Sequence, residues 1–149
     1  MTERTVLAED LFQKGFNCAQ SVLCPFGSEA GMSQKDCLKV AGSFGAGMAR
    51  RAETCGAVTG GLMALGLKYG MLKAGDGQAK KKNYDEAEKF MAEFERRNGS
   101  VVCRDLLGCD ISTPEGAKMA SERKLTSTLC PQLVKSSVEI LENLLEGAS

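Results

Sequence analysis

Apolar residues recur every three or four positions along most of this chain, which is the spacing that gives a helix one buried face. The longest such segment spans residues 79–97 and carries charges on its opposite side. Its apolar stripe consists of Tyr84, Ala87, Phe90, Met91 and Phe94. A second clear stripe follows Cys130-Pro131. The pattern predicts an all-α fold.

Capping residues and glycines divide this pattern into about six to eight helices. No linker or repeat interrupts the chain, so we expect one helical bundle over residues 1–149, with a glycine-rich central helix. Residues 42–47 are predicted to form a flexible loop. The predicted helices cover residues 5–14, Asn17 toward Pro25, Ser33 through Ala41, 55–69, 79–97, Ser100 through Leu107, Thr113 onward and Cys130 onward.

Charge and hydropathy exclude several classes of function. Nineteen basic residues balance nineteen acidic ones, so no net charge attracts nucleic acid or anionic lipid. The most apolar segment, residues 55–67, is shorter than the roughly 20 residues needed to cross a bilayer. The charged N-terminus lacks the apolar stretch of a secretory signal. We therefore expect a cytoplasmic protein that neither inserts into membranes nor binds nucleic acid.

Seven cysteines and no histidine limit the available chemistry. Without histidine, Ser/His/Asp and Cys/His catalytic systems and histidine-containing zinc sites are excluded. In a reducing compartment, so many cysteines indicate redox chemistry or metal binding more often than structural disulfides. No CxxC pair occurs, so cooperating thiols must come from separate helices.

Four of the cysteines fall in the first turn of a predicted helix. They are Cys18, Cys55, Cys103 and Cys130. There the helix dipole and the unpaired N–H groups stabilise a thiolate, by about 0.3–1 kcal/mol at an exposed site. Arg50 and Arg51 lie five and four residues ahead of Cys55 and are predicted to add to this effect. We expect these four cysteines to be catalytic thiols of lowered pKa.

The other three cysteines have different surroundings. Cys24 and Cys37 lie among apolar residues and are predicted to be buried as small hydrophobic side chains. Cys109 follows Gly108 in a predicted turn close to Cys103. This position makes Cys109 a further candidate catalytic residue, as a resolving partner for Cys103.

The segments around the four cysteines resemble a known family. They are Gly15-Phe16-Asn17-Cys18-Ala19-Gln20, Cys55-Gly56-Ala57-Val58-Thr59-Gly60, Cys103-Arg104-Asp105-Leu106-Leu107-Gly108 and Cys130-Pro131. In order and spacing they resemble the C_GCAxxG_C_C family of redox-active proteins, which is defined by four cysteines and a CGAxxG motif. The resemblance covers nearly the whole chain and implies a redox role for the same four cysteines. Ala49 and Ala52 depart from it, because glycines are expected there.

Glycines four residues apart allow a close approach to the helix backbone. Gly56 and Gly60 lie on one face of the central helix, where a second helix or a flat cofactor can approach. Helix packing is the favoured interpretation, and Gly56, Gly60 and Arg50 are the candidate cofactor-binding residues. The loop at 42–47 lacks the lysine-serine ending of a phosphate-binding loop.

Three hypotheses follow from the sequence. In the first, the thiols exchange disulfides with a redox partner protein or a small thiol or disulfide, and no cofactor is needed. In the second, Cys18, Cys55, Cys103 and Cys130 hold zinc or an iron-sulfur cluster. In the third, the bundle is structural and its thiols are inert. The first is favoured, and a homodimer remains open.

Overall fold

The computed structural model describes residues 1–147. In this range the chain forms ten helical segments and no strand. Two of them, α4 and α9, are only four residues long, and the remaining eight confirm the predicted all-α bundle. The segments are α1 (Glu3–Gln13), α2 (Cys18–Glu29), α3 (Gln34–Val40), α4 (Gly45–Met48), α5 (Gly56–Tyr69), α6 (Gly77–Asn98), α7 (Cys103–Leu107), α8 (Pro114–Glu122), α9 (Leu125–Thr128) and α10 (Cys130–Gly147).

Several helices begin at the caps that the sequence predicts. The Asn17 side chain accepts a hydrogen bond from the Gln20 backbone N–H, and the Gln20 side chain accepts one from the Asn17 N–H. This reciprocal pair is a capping box, and it fixes the start of α2. Ser33 and Thr113 cap α3 and α8 through their hydroxyl oxygens. None of the described helices combines the length and the apolar character needed to cross a membrane.

Two predicted boundaries are wrong for identifiable reasons. α2 continues through Pro25 to Glu29, because residues 21–27 are buried and this packing offsets the hydrogen bond that a helical proline loses. α7 begins at Cys103 rather than at Ser100, because Val102 remains extended and pairs with Thr54 in an isolated antiparallel bridge.

The tightest helix contact joins α2 to α5. A methyl group at Gly60 would lie 2.6 Å from the carbonyl oxygen of Ala19, far inside normal contact distance. Gly56 meets the same stretch of α2, where a methyl group would lie 3.0 Å from the Ala19 nitrogen. Only residues without a side chain permit this approach, so the two glycines set the position of α5 on α2.

α6 packs on the other side of α5. Phe90 and Phe94 are fully buried, and the Phe90 ring covers Gly61 of α5. The predicted stripe is wrong at Tyr84, which is 62% exposed, whereas Glu86 is buried. The Glu86 carboxylate forms ion pairs with Lys82 and Lys89 at 3.0 and 3.1 Å. These pairs allow a charged side chain to lie on the buried face of α6.

Residues 46–52 form an unusual left-handed segment. Positive φ angles occur at Ala46, Gly47, Met48, Ala49, Arg50 and Ala52. Each non-glycine residue in this conformation costs roughly 1–2 kcal/mol. Residues 42–47, predicted as a flexible loop or broken turn, form turns that lead into α4. The left-handed segment that follows is closed by a 3.0 Å hydrogen bond from the Glu53 N–H to the Gly47 carbonyl. Ala49 and Ala52, where glycine was expected, both have the backbone conformation that favours glycine.

This turn leads directly into a cross-link between two helix starts. The Cys55 N–H donates to the Val101 carbonyl at 2.9 Å, and the Cys103 N–H donates to the Glu53 carbonyl. Together with the Thr54–Val102 bridge, these bonds hold the start of α5 beside the start of α7. Two cysteines that are distant in sequence are thereby placed side by side.

Replacing Gly60 by alanine tests the α2–α5 contact. We expect Gly60→Ala to lower the free energy of unfolding by about 1–3 kcal/mol, because the new methyl group overlaps the α2 backbone. Gly66→Ala in the same helix is the matched control, since nothing lies within 4 Å of that position. It should be neutral or stabilise by up to about 1 kcal/mol. Equal effects of the two variants in urea unfolding would contradict the proposed packing.

Replacing Ala49 by glycine tests the left-handed segment. The strain relieved exceeds the extra entropy of the unfolded chain, so we expect Ala49→Gly to raise the free energy of unfolding by roughly 0.5–1 kcal/mol. Ala92→Gly on the exposed face of α6 is the control and should cost about 1 kcal/mol. Denaturant midpoints of both variants provide the measurement, and a loss of stability in Ala49→Gly would refute the left-handed geometry.

Candidate thiol site

The starts of four helices meet around one cavity of about 290 Å³. Cys18, Cys103 and Cys130 are the first residues of α2, α7 and α10, and Cys55 occupies the cap position of α5. All four line the cavity, and their thiols influence one another electrostatically. The structure therefore brings together the four cysteines that the sequence singled out, and their catalytic role remains a prediction.

Backbone contacts explain why these helix starts converge. A methyl group at Gly56 would lie 3.0 Å from the Cβ atom of Cys18, so the glycine after Cys55 lets α5 begin directly beside α2. The buried Ser137 hydroxyl of α10 donates a 2.7 Å hydrogen bond to the Ala57 carbonyl in the first turn of α5. This bond ties α10 to the same end of the bundle.

The thiols of Cys18 and Cys130 influence each other's ionisation, and a hydrogen bond between them is the largest cause of the pKa shift of each. The hydrogen bond, reinforced by burial, raises the pKa of Cys18 well above its ordinary value. The same hydrogen bond lowers the pKa of Cys130. Cys18 thus keeps its proton and donates it toward the Cys130 sulfur. Cys130 is the thiol of the site that is prepared to act as a thiolate.

Burial dominates at the other two cysteines. It raises the pKa of Cys55 to about 11, although the backbone N–H groups of Ala57 and Val58 favour the thiolate there. Burial and the neighbouring thiols raise the pKa of Cys103 to about 12. The predicted lowering of the pKa is therefore wrong at Cys55 and Cys103, because desolvation outweighs the helix dipole there. It is also wrong at Cys18, where the interaction with Cys130 and burial both raise the pKa.

The two arginines ahead of Cys55 lie outside the cavity of the four thiols. Arg51 pairs with Glu53 at 3.3 Å. Arg50 lies on an open groove outside the cavity, with Glu9 and Lys124. Neither arginine lines the space around the four thiols in the described part of the chain. Arg50 itself has a left-handed backbone, with a φ of 70°.

The three candidate cofactor-binding residues have different surroundings in the structure. Gly60 faces the α2 backbone at Ala19, which leaves no room for a cofactor and makes the predicted binding role wrong at this residue. Gly56 also contacts α2, yet it lines the thiol cavity. Arg50 reaches only the outer groove. Helix packing accounts for the spacing of the two glycines.

Cys109 lies behind Cys103 rather than on the cavity. It is 9% exposed, and its thiol contributes to the raised pKa of Cys103. The residue follows Gly108, whose φ of 70° ends α7 and turns the chain back. The two thiols are neighbours, and the role of Cys109 as a resolving partner stays a prediction.

A second pair of thiols lies away from this site. Cys24 and Cys37 are fully buried, as predicted, and their thiols influence each other's pKa, while the Cys37 thiol donates to the Met32 carbonyl at 3.9 Å. Gly27, one turn after Cys24, leaves the space that the Cys37 sulfur occupies. The sequence offered no signal for this pairing, because the two residues come from different helices with no shared motif.

The four cysteines of the cavity are also the candidate metal ligands of the second hypothesis. Within residues 1–147, no group of three or more cysteine or acidic side chains is placed to hold a metal ion. All seven cysteines have free thiols. The four sulfurs share one cavity, and the interaction between Cys18 and Cys130 is the largest influence on the pKa of both residues.

The fold and the site define a helical protein built around a cluster of helix-terminal thiols. The family model described as "Putative redox-active protein (C_GCAxxG_C_C)" matches residues 16–144, and the chain belongs to this family. The matched range contains all four cysteines of the cavity. Comparison with curated proteins and with solved structures found no match.

The interaction with Cys18 predicts how fast Cys130 is alkylated. Because a lowered pKa leaves more thiolate at neutral pH, Cys130 should react with iodoacetamide at pH 7 faster than Cys55 or Cys103. Cys18→Ala removes the donor, so the pH midpoint of Cys130 alkylation should rise and its rate at pH 7 should fall about 2- to 10-fold. Mass spectrometry of tryptic peptides provides the rates for each cysteine.

Cys24→Ala is the matched control for this measurement. It removes a buried thiol from the other pair and should leave the alkylation of Cys130 unchanged. If Cys18→Ala accelerates Cys130, or if Cys55 is the fastest cysteine in the unmodified protein, the assigned hydrogen bond is wrong.

Proposed function

We propose that this protein is a thiol/disulfide exchange protein in which Cys130 is the attacking thiolate and Cys18 the resolving thiol. The observation that carries the proposal is that Cys18 and Cys130 begin two different helices and line the same cavity, where the Cys18 thiol lowers the pKa of Cys130. Dithiol sites act in this way when one thiol is ionised and its neighbour remains protonated. Membership of the redox-active family supports the same chemistry.

The exchange reaction needs only these two thiols and a disulfide. The Cys130 thiolate attacks one sulfur of the substrate disulfide, the S–S bond breaks, and the first half leaves as a thiolate that takes up a proton. Cys18 then loses its proton and attacks the Cys130 sulfur, which releases the second half as a thiol. Two protein thiols are oxidised to one disulfide, and the substrate is reduced by two electrons to two thiols.

Cys55 and Cys103 complete the proposed site as a second dithiol. Their raised pKa keeps both protonated at neutral pH, so neither competes with Cys130 for the substrate. Both line the same cavity as Cys130, and the three thiols influence one another electrostatically. This position suits them to take over the disulfide from Cys18 and Cys130 by a further exchange.

Disulfide mapping tests the proposal. Protein reduced with dithiothreitol, freed of the reductant and then treated with one equivalent of a small linear disulfide should lose two free thiols. Peptide mapping should locate the disulfide between Cys18 and Cys130. Reduction should restore both thiols, and Cys130→Ser should abolish this disulfide.

Two comparisons keep this test decisive. Cys24→Ser removes one thiol of the distant pair and should leave the Cys18–Cys130 disulfide intact. Elemental analysis of the anaerobically purified protein accompanies the mapping. Zinc or iron in a stoichiometric amount, or oxidation confined to Cys24 and Cys37, would overturn the proposal.

A further inference from the structure

The cavity beside the four thiols has an unusually uniform lining. Apart from the sulfurs it is surrounded mainly by hydrocarbon, and no acidic or basic side chain of the described residues lines it. Asn17 and Thr126 are its polar side chains. The apolar wall includes Phe12, Phe16, Leu106, Leu107, Leu125 and Leu133.

The size of the cavity limits what it can hold. Its volume of about 290 Å³ is roughly twice that of the 150 Å³ apolar cavity that accommodates benzene. Two aromatic rings or a comparable aliphatic group would fill it. A charged tripeptide disulfide would not fit and would lose its hydration without gaining partners, which is costly for each ionised group.

An open surface groove adjoins the cavity. The two spaces have Phe12, Ala46 and Ile111 in common as lining residues, so the groove is the nearest approach to the cavity from the surface. Arg50 and Lys124 line this outer groove. Charged groups are thus present at the entrance, while the inner space next to the sulfurs is apolar.

We propose that the substrate of this site is a small, uncharged, apolar molecule containing a disulfide or thiol, about two aromatic rings in size. This inference rests on the proposed function for the reaction itself, and on the cavity for the substrate class. The molecule enters through the groove, places its apolar body against the leucine and phenylalanine side chains, and presents its sulfur to Cys130. Burial of its apolar surface supplies the binding free energy.

Two aromatic disulfides that differ in charge test the substrate class. 4,4′-Dithiodipyridine is neutral at pH 8, and 5,5′-dithiobis(2-nitrobenzoate) carries two carboxylates. Each oxidises the dithiol to a disulfide and leaves two aromatic thiols, which absorb light. With each rate divided by that for 2-mercaptoethanol, we expect reduced protein to prefer the neutral reagent by at least about 10-fold.

A cavity-filling variant links this preference to the cavity. Leu125→Phe enlarges a wall residue, so it should slow 4,4′-dithiodipyridine by at least about 3-fold while changing the charged reagent less. Leu72→Phe is the matched control, because Leu72 is 99% exposed and does not line the cavity. It should leave both rates unchanged. Equal normalised rates for the two reagents would overturn the proposal.

A binding experiment separates this inference from the proposed function. 2-Naphthol has two fused rings and no disulfide, so calorimetric titration of the reduced protein detects the cavity without any redox step. Binding that Leu125→Phe weakens and Leu72→Phe preserves supports the inferred ligand class even if no Cys18–Cys130 disulfide forms. Absence of binding, with that disulfide forming normally, rejects the apolar substrate and leaves the exchange reaction standing.

Discussion

The close approach of α5 to α2 is the contact on which the rest of the structure depends. Gly56 and Gly60 lie against the backbone at Ala19, and the missing side chains let two helices touch along their first turns. Because the helices meet near their starts, the cysteines at those starts meet as well. α10 joins the same end through the buried hydrogen bond from Ser137 to Ala57. The CGAxxG motif is therefore first of all a packing device.

The left-handed segment at 46–52 brings the other two thiols of the site, Cys55 and Cys103, together. It reverses the chain ahead of Cys55 so that Glu53 and Thr54 can pair with Val102 and Cys103. Strained backbone persists only where surrounding contacts determine it, and such segments cluster at functional sites. Here the strained segment positions the cap of α5, Cys55, beside the start of α7, Cys103. Both thiols therefore line one cavity.

Two electrostatic effects compete at these thiols, and their magnitudes decide the chemistry. The dipole of an exposed helix start stabilises a thiolate by only about 0.3–1 kcal/mol, whereas a buried group can lose far more on ionisation. Three thiols of the site accordingly have a raised pKa. The pKa of Cys130 is lowered instead, because the hydrogen bond with the neighbouring Cys18 outweighs the effect of burial. In the proposed reaction, the attack on the substrate disulfide therefore starts from Cys130, while the neighbouring thiols remain protonated.

The sequence by itself determined the helical class, most helix starts and the four cysteines of the site, because capping, spacing and apolar periodicity are local properties of the chain. The resemblance to the family further indicated that Ala49 and Ala52 stand at positions suited to glycine. The tertiary structure alone decided which thiols touch, as the pairs Cys18–Cys130 and Cys24–Cys37 join different helices. It also decided which thiol ionises and where Glu86 and Tyr84 lie. These outcomes depend on burial and on distances across the bundle, which no local pattern contains.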